Sequence, residues 1–157
     1  MKIKPNKIIW GIIALSFVGL LDATYLTVSH YSGAQLSCSL TTGCNTVTTS
    51  IYSQIFGIPV ALLGLIFYFT VLFLSLLYFD LQKPDAPGIP ASGMAKGKAI
   101  LKIIAPLSGL AFLSSAYFMY VQFFVIKALC QYCILSALLS TTIFILSLVC
   151  LAAASRK

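Results

Sequence analysis

Four stretches of this chain, Ile8 to Ser29, Ile58 to Phe79, Ile100 to Val125 and Cys130 to Ala153, are each apolar over enough residues to cross a hydrocarbon core, a distance that takes about 20 residues of helix. A chain of 157 residues with four such segments cannot bury them all in a water-soluble core. Its composition agrees: 60% of the side chains are apolar and 8% are charged, too few to coat a surface that faces water. Lipid offers the backbone no hydrogen-bond partners, so segments of this length span as helices. The expected fold is therefore an all-α membrane protein, a four-transmembrane-helix bundle surrounded by membrane lipid. With no repeat and no low-complexity tract, residues 1–157 read as a single domain. The only linker-like segment is Gln82 to Lys98, where Pro84, Pro87, Gly88, Pro90, Gly93 and Gly97 oppose regular structure.

A net charge of +7 does not make this a nucleic-acid binder, because the basic residues sit in short clusters between uncharged runs and form no single basic face. They set the orientation instead, since Lys and Arg in short loops are retained in the cytoplasm. Lys2, Lys4 and Lys7 precede the first span, Lys83, Lys96, Lys98 and Lys102 surround the start of the third, and Arg156 and Lys157 end the chain. His30 to Gly57 carries no Lys, Arg, Asp or Glu, and the last connection has only Lys127. A multi-pass protein of the cell (inner) membrane is expected, with both termini cytoplasmic and the first loop on the periplasmic or extracellular side. A cleavable signal peptide is the competing reading of the first span, but the apolar run outlasts an h-region and no clear A-x-A-like site follows it.

This topology places Cys38 and Cys44 in the first outward loop and Cys130 and Cys133 at the outward end of the fourth span, leaving Cys150 near the opposite end. Disulfides form and persist outside the cytosol, so two close pairs of outward thiols point to redox chemistry. Cys130-Gln131-Tyr132-Cys133 is a C-x-x-C at a helix N-terminus, where free backbone N–H groups favour thiolate and speed exchange. A second pair on the same membrane face supplies an exchange partner. Two alternatives use the same residues. One is a disulfide-stapled structural or transport subunit. The other is a zinc site of four thiolates, although the Cys38 to Cys44 spacing is wider than the usual C-x₂₋₄-C. Cys150, with no partner in its run, reads as an inert apolar side chain.

At these residues the chain resembles the vitamin K epoxide reductase family, especially its small bacterial and archaeal members. The resemblance rests on Cys38 and Cys44 in the first loop, Ser50 six positions later, Phe56-Gly57-Ile58-Pro59 opening the second span, and Cys130-x-x-Cys133 starting the fourth. The run Gly19-Leu20-Leu21-Asp22-Ala23-Thr24-Tyr25-Leu26-Thr27 also looks like the first-helix ending of these proteins, so the resemblance covers essentially the whole chain. The DsbB type of disulfide generator is similar in size but carries its C-x-x-C in the first outward loop.

The resemblance implies a quinone-dependent thiol/disulfide oxidoreductase in which Cys130 and Cys133 form the quinone-facing pair and Cys38 and Cys44 the shuttle pair. By that mapping Cys133 reacts with the quinone, ubiquinone or menaquinone, Cys130 exchanges with Cys44, and Cys38 takes electrons from a thioredoxin-fold partner. Ser50 matches a hydroxyl residue placed near the quinone; on the sequence alone it serves equally as a cap or turn residue among Thr46, Thr48 and Thr49. Ala137 stands where the animal enzymes carry a tyrosine, which favours a respiratory quinone over vitamin K epoxide. Larger members fuse a thioredoxin domain to the C-terminus; this chain stops at Lys157, so a separate DsbA-like thioredoxin-fold protein is the expected partner.

No dinucleotide, P-loop or His-rich motif is present to hold another cofactor or a metal. Phe56, Phe67, Tyr68, Phe118 and Tyr132 are available to clasp a quinone ring, with packing as the competing role. Asp22 is the only acid inside a span and so is a functional candidate, and His30 sits at the outward boundary. Val47, Ile51, Ile55 and Phe56 recur near helical spacing, which predicts a short interfacial helix over Val47 to Phe56, lying as a lid on the quinone pocket. Gly33 and Gly43 are expected to let the cysteine loop shift.

Overall fold

The computed structural model describes residues 5–38, 43–81 and 92–155. Four long helices dominate: α1 (Pro5–Ser32), α3 (Val60–Leu81), α4 (Ser92–Tyr120) and α5 (Gln131–Ser155), with a short α2 (Cys44–Thr48) after the first. Four helical segments are long and apolar enough to cross a membrane, Lys7–Ser32, Val60–Leu81, Gly97–Ile126 and Gln131–Ala153, the third running past the end of α4 into the turn that follows it. α1 packs on α3 and α5, and α4 packs on α5 and α3, so the four close a ring in the order α1, α3, α4, α5. Large apolar side chains such as Trp10, Phe17, Phe69, Phe73, Leu110 and Leu138 point outward and stay exposed, which suits lipid and not water. The chain is a multi-pass membrane protein built as a four-helix bundle.

The interior is held in two layers. Ile9, Ile12, Val71, Leu101, Ile104, Ile143 and Cys150 fill the larger cluster together with Tyr68 and Tyr78, whereas Leu26, Leu36, Cys44, Val47 and Cys130 form a smaller one at the cysteine end. Packing in lipid lacks a hydrophobic drive and depends on close fit and interhelical hydrogen bonds. α4 and α5 use both, through Ser108 Oγ to Ser147 Oγ at 3.0 Å and Ser115 Oγ to Ser140 Oγ at 2.9 Å.

Three expectations need correction. The third long helix begins at Ser92, inside the segment read as a linker, with Gly93 and Gly97 in its first turns; glycine costs a helix about 1 kcal/mol but does not forbid it, and the apolar run downstream carries these turns along. The rest of the expected linker, residues 82–91, lies outside the described residues, as do Lys2, Lys4, Lys83, Arg156 and Lys157.

The helix expected over Val47 to Phe56 is real only in part. The short helix is Cys44–Thr48, followed by a 3₁₀ turn (Ile51–Ser53) and a two-residue hairpin, β1 (Gln54–Ile55) paired antiparallel with β2 (Ile58–Pro59). Hydroxyls end the helix: Thr48 donates to the Cys44 carbonyl at 2.8 Å, Thr49 to Asn45 at 2.7 Å and Ser50 to Val47 at 2.7 Å. Such bonds give the backbone an alternative to continued helix, and Ser50 is already extended at ψ 157°. Phe56 and Gly57 then make the hairpin turn with φ of 52° and 79°, the left-handed pair that a tight hairpin demands.

Finally, Gly43 is not a hinge glycine by conformation. Its φ of −95° suits any residue; what requires glycine is space, as described next.

Candidate functional site

Cys130 is the residue before α5, and its carbonyl accepts the Ile134 N–H at 3.0 Å, so it caps the helix. The first-turn N–H groups of such a helix have no partner in the helix itself. Those of Tyr132 and Cys133 turn toward the Cys130 thiol. Hydrogen bonding from the Cys133 thiol, against the opposing effect of burial and with the help of these two backbone groups, draws the Cys130 thiol below the ordinary cysteine range. A shift in that direction makes thiolate, the form that attacks disulfides, easier to reach.

The approach to Cys130 is built by the end of α4. After Tyr120 the helix widens into a π-helical turn, Val121–Ile126, which Lys127 ends in the left-handed region at φ 55°. Gln122, in that turn and 2% exposed, receives the Cys130 backbone N–H on Oε1 at 2.9 Å and the Ala128 N–H on its own carbonyl at 3.2 Å. Against this connection lies Gly43. A Cβ there would come within 2.7 Å of the Leu129 backbone N and 2.8 Å of its O, closer than side chains tolerate. Glycine therefore lets the segment entering α2 at Cys44 lie flat on the connection that carries Cys130. Asn45 Oδ1 accepts the Leu36 N–H at 2.8 Å and Tyr132 Oη donates to the Ser37 carbonyl at 2.9 Å, tying the loop down on both sides.

The four cysteines sit in three kinds of surroundings. Cys38 and Cys44 are joined in a disulfide with Cα atoms 6.3 Å apart, and Cys130 and Cys133 are free thiols. Cys38 is partly exposed, Cys44 and Cys130 are buried within one cluster, and Cys133 lines a cavity of about 460 Å³. Cys150 lies in the other, larger core cluster, apart from these four.

The cavity is walled by Asp22 on α1, Ser50, Phe67 and Tyr68 on α3, Phe118 on α4, and Cys133 and Ser136 on α5. Of the aromatics expected around a ring, Phe67, Tyr68 and Phe118 are in its wall. Phe56 is not: the hairpin turn leaves it wholly exposed, outside this cavity. Tyr132 is also absent from the wall; its ring meets Tyr25 at 5.2 Å. Ser50 does reach the cavity, but its hydroxyl hydrogen is given to the Val47 carbonyl, which makes it an acceptor toward any ligand. His30 stands at the rim, 3.3 Å from the Gln54 amide.

Gln122, Asn45, the packing role of Gly43 and the pairing of Tyr68 with Ser136 are what sequence reasoning missed. Gln122 left a signal, a lone amide inside an apolar span; the others are visible only when distant segments are brought together.

Comparison with known proteins agrees with this arrangement. A thiol-disulfide oxidoreductase of Arabidopsis thaliana, LTO1, is 31% identical over 130 residues, which cover 82% of this chain and 32% of that protein, so the chain spans about a third of this relative's length. The model of the vitamin K epoxide reductase family matches residues 10–148, a stretch that runs from inside α1 to inside α5 and includes the cysteine loop and both cysteine pairs. The chain belongs to the vitamin K epoxide reductase family.

Proposed function

We propose that this protein is a quinone-dependent thiol/disulfide oxidoreductase that makes disulfides in an extracytoplasmic, DsbA-like thioredoxin-fold partner and passes the electrons to ubiquinone or menaquinone. The observation that carries this reading is the placement of the cysteines: a partly exposed Cys38, two buried sulfurs of different pairs in one cluster, and Cys133 on a cavity. Two structural staples have no need of that placement.

Each residue's part follows from its place. A dithiol partner exchanges with Cys38, the accessible member of the shuttle pair. Cys44 then exchanges with Cys130, and Cys130 with Cys133, which faces the acceptor. With the shuttle pair closed and Cys130 and Cys133 reduced, the protein stands charged with two electrons for that acceptor.

The cavity fits a quinone headgroup. Its volume is within the roughly 300–1,000 Å³ of ligand pockets, its wall is mainly apolar, and Asp22, Tyr68, Ser136 and Ser50 are among the polar groups set in it. Leu63, Ile66 and Leu110 line the cavity and are also exposed on the outside of the bundle, so it opens between α3 and α4 toward lipid, where a quinone dissolves. When bound, the quinone supplies a two-electron, two-proton sink. Sidedness is part of the proposal: Lys7, Lys98 and Lys102 lie toward the helix ends away from the cysteines, which supports cytoplasmic termini and an outward thiol site.

Thiol trapping in vesicles tests the reading. Alkylation patterns of the four cysteines should change when oxidised quinone is added to dithiothreitol-reduced protein. Pairs that stay closed through cycles of dithiol and quinone would mark them as staples.

A further inference from the structure

One group in the cavity wall has no task in the thiol relay. Asp22 is 8% exposed, and neither of its carboxyl oxygens has a hydrogen-bond partner among the described residues. It shares the cavity with Cys133, Ser136 and Tyr68. Leaving a buried polar group unpaired costs about 1–3 kcal/mol, and a carboxyl that merely packs a membrane bundle normally bonds a neighbouring helix. A bare carboxyl in this wall therefore marks a place where something bound in the cavity supplies the hydrogen bond.

Its surroundings gather other polar groups at the same cavity. Gly19, one turn before Asp22, has room only for hydrogen because a Cβ would overlap the Tyr68 ring, so Tyr68 lies against the Asp22 face of α1. Tyr68 Oη is 2.9 Å from both the carbonyl and the hydroxyl of Ser136. Ser136 follows Cys133 by one turn on the same face of α5. Three helices thus bring a carboxyl, a phenol, a hydroxyl and a thiol to one cavity.

We propose that Asp22 is the proton carrier for the acceptor reduced at Cys133, holding a proton against an acceptor oxygen and regaining one from the cysteine pair by way of Tyr68 and Ser136. The inference rests on the quinone-linked reading above. When Cys130 and Cys133 close, two S–H bonds break, one S–S bond forms, and two electrons and two protons leave the pair. The quinone takes up both, gaining two O–H bonds. Asp22 gives one proton to an oxygen and receives one released by the thiols, so it ends as it began. The Tyr68 and Ser136 hydroxyls both donate and accept, as a path requires.

The test uses the full chain in lipid vesicles with a short-chain ubiquinone and dithiothreitol. Asp22→Asn keeps the size and removes the proton, and should slow quinone reduction roughly 100-fold, the scale of a lost acid–base group, while exchange between Cys44 and Cys130 stays at the parental rate. Asp22→Glu should restore part of the loss. Infrared difference spectra on adding quinone, without turnover, should show a carboxyl band that shifts in the parent and is missing in Asp22→Asn. A parental reduction rate and solvent isotope effect in Asp22→Asn would overturn the proposal and leave the quinone reading intact. If the parent itself fails to reduce quinone, that reading falls and takes this one with it. Should Asp22→Asn not fold, Tyr68→Phe removes a single hydroxyl: a slowed rate with a changed isotope effect supports the path, and a parental rate overturns it.

Discussion

The backbone N–H of Cys130 donates to Oε1 of Gln122 at 2.9 Å, so the cysteine that starts α5 is held by the π-helical turn that ends α4. The bond fixes the height of Cys130 at the helix mouth and satisfies one of the backbone donors exposed there.

Removing that acceptor is the first prediction. Gln122→Met keeps the bulk and leaves the Cys130 N–H buried without a partner, a loss of about 1–3 kcal/mol. The midpoint of thermal unfolding should fall, and transfer between Cys44 and Cys130 should slow because Cys130 is no longer held in register. A variant with parental stability and transfer would show the bond to be incidental.

Gly43 gives the second. A methyl group there meets the Leu129 backbone at 2.7 Å, and relieving an overlap of this kind costs about 1–3 kcal/mol. Gly43→Ala should still form the Cys38–Cys44 disulfide but should cross-link Cys44 to Cys130 poorly, since the two segments are pushed apart. Gly33 is the control: it has φ +66° and nothing near its missing Cβ, so Gly33→Asn, which tolerates that conformation, should leave cross-linking as it was.

How far the sequence spoke depends on what kind of order each element needed. The four spans are legible because lipid imposes one rule on every residue of them, and the cysteine pairs are legible from spacing. The loop between α1 and α3 is not, because its course is decided by Thr48, Thr49 and Ser50 hydroxyls competing for carbonyls, and the apolar period of Val47, Ile51 and Ile55 reads the same whether the helix continues or stops. The place of Phe56 was hidden for a related reason: the run Phe56-Gly57-Ile58-Pro59 does not reveal that Phe56 occupies a left-handed turn position and is wholly exposed. The path from Tyr68 to Ser136 joins residues 68 apart in sequence, and a serine in a spanning helix more often bonds its own preceding turn, as Ser16 does with Ile12.

A third prediction concerns pH. The Cys130 thiol is drawn below the ordinary cysteine range, chiefly by the Cys133 thiol, so in reduced protein its alkylation by iodoacetamide should rise with pH and level off at a lower pH than an ordinary cysteine requires. At lower pH the thiol is protonated and slow. In Cys133→Ala the main hydrogen bond is gone while burial remains, so the midpoint should move up toward ordinary cysteine. A midpoint that does not move assigns the shift to the helix terminus alone.

The last prediction concerns how the two pairs join. The Cys130 thiolate faces a disulfide with two unequal sulfurs: Cys44 is buried with it in one cluster, whereas Cys38 is partly exposed. Attack on Cys44 is therefore the short route, and it expels Cys38, whose departing thiolate can be met by water. In Cys133→Ser the thiol that would next release Cys130 is missing, so a Cys44–Cys130 disulfide should accumulate, and alkylating the freed Cys38 should make it permanent. Cys38→Ala should give the same cross-link from the other side, because Cys44 then has no partner in its own loop. Bonding requires Cα atoms roughly 4.4 to 6.8 Å apart, which a Gly43 packed on Leu129 permits without opening the bundle. Peptide mapping after alkylation reads the linkage directly. A Cys38–Cys130 product in place of Cys44–Cys130 would reverse the roles within the loop pair, and absence of any cross-link between the pairs in both variants would sink the relay itself.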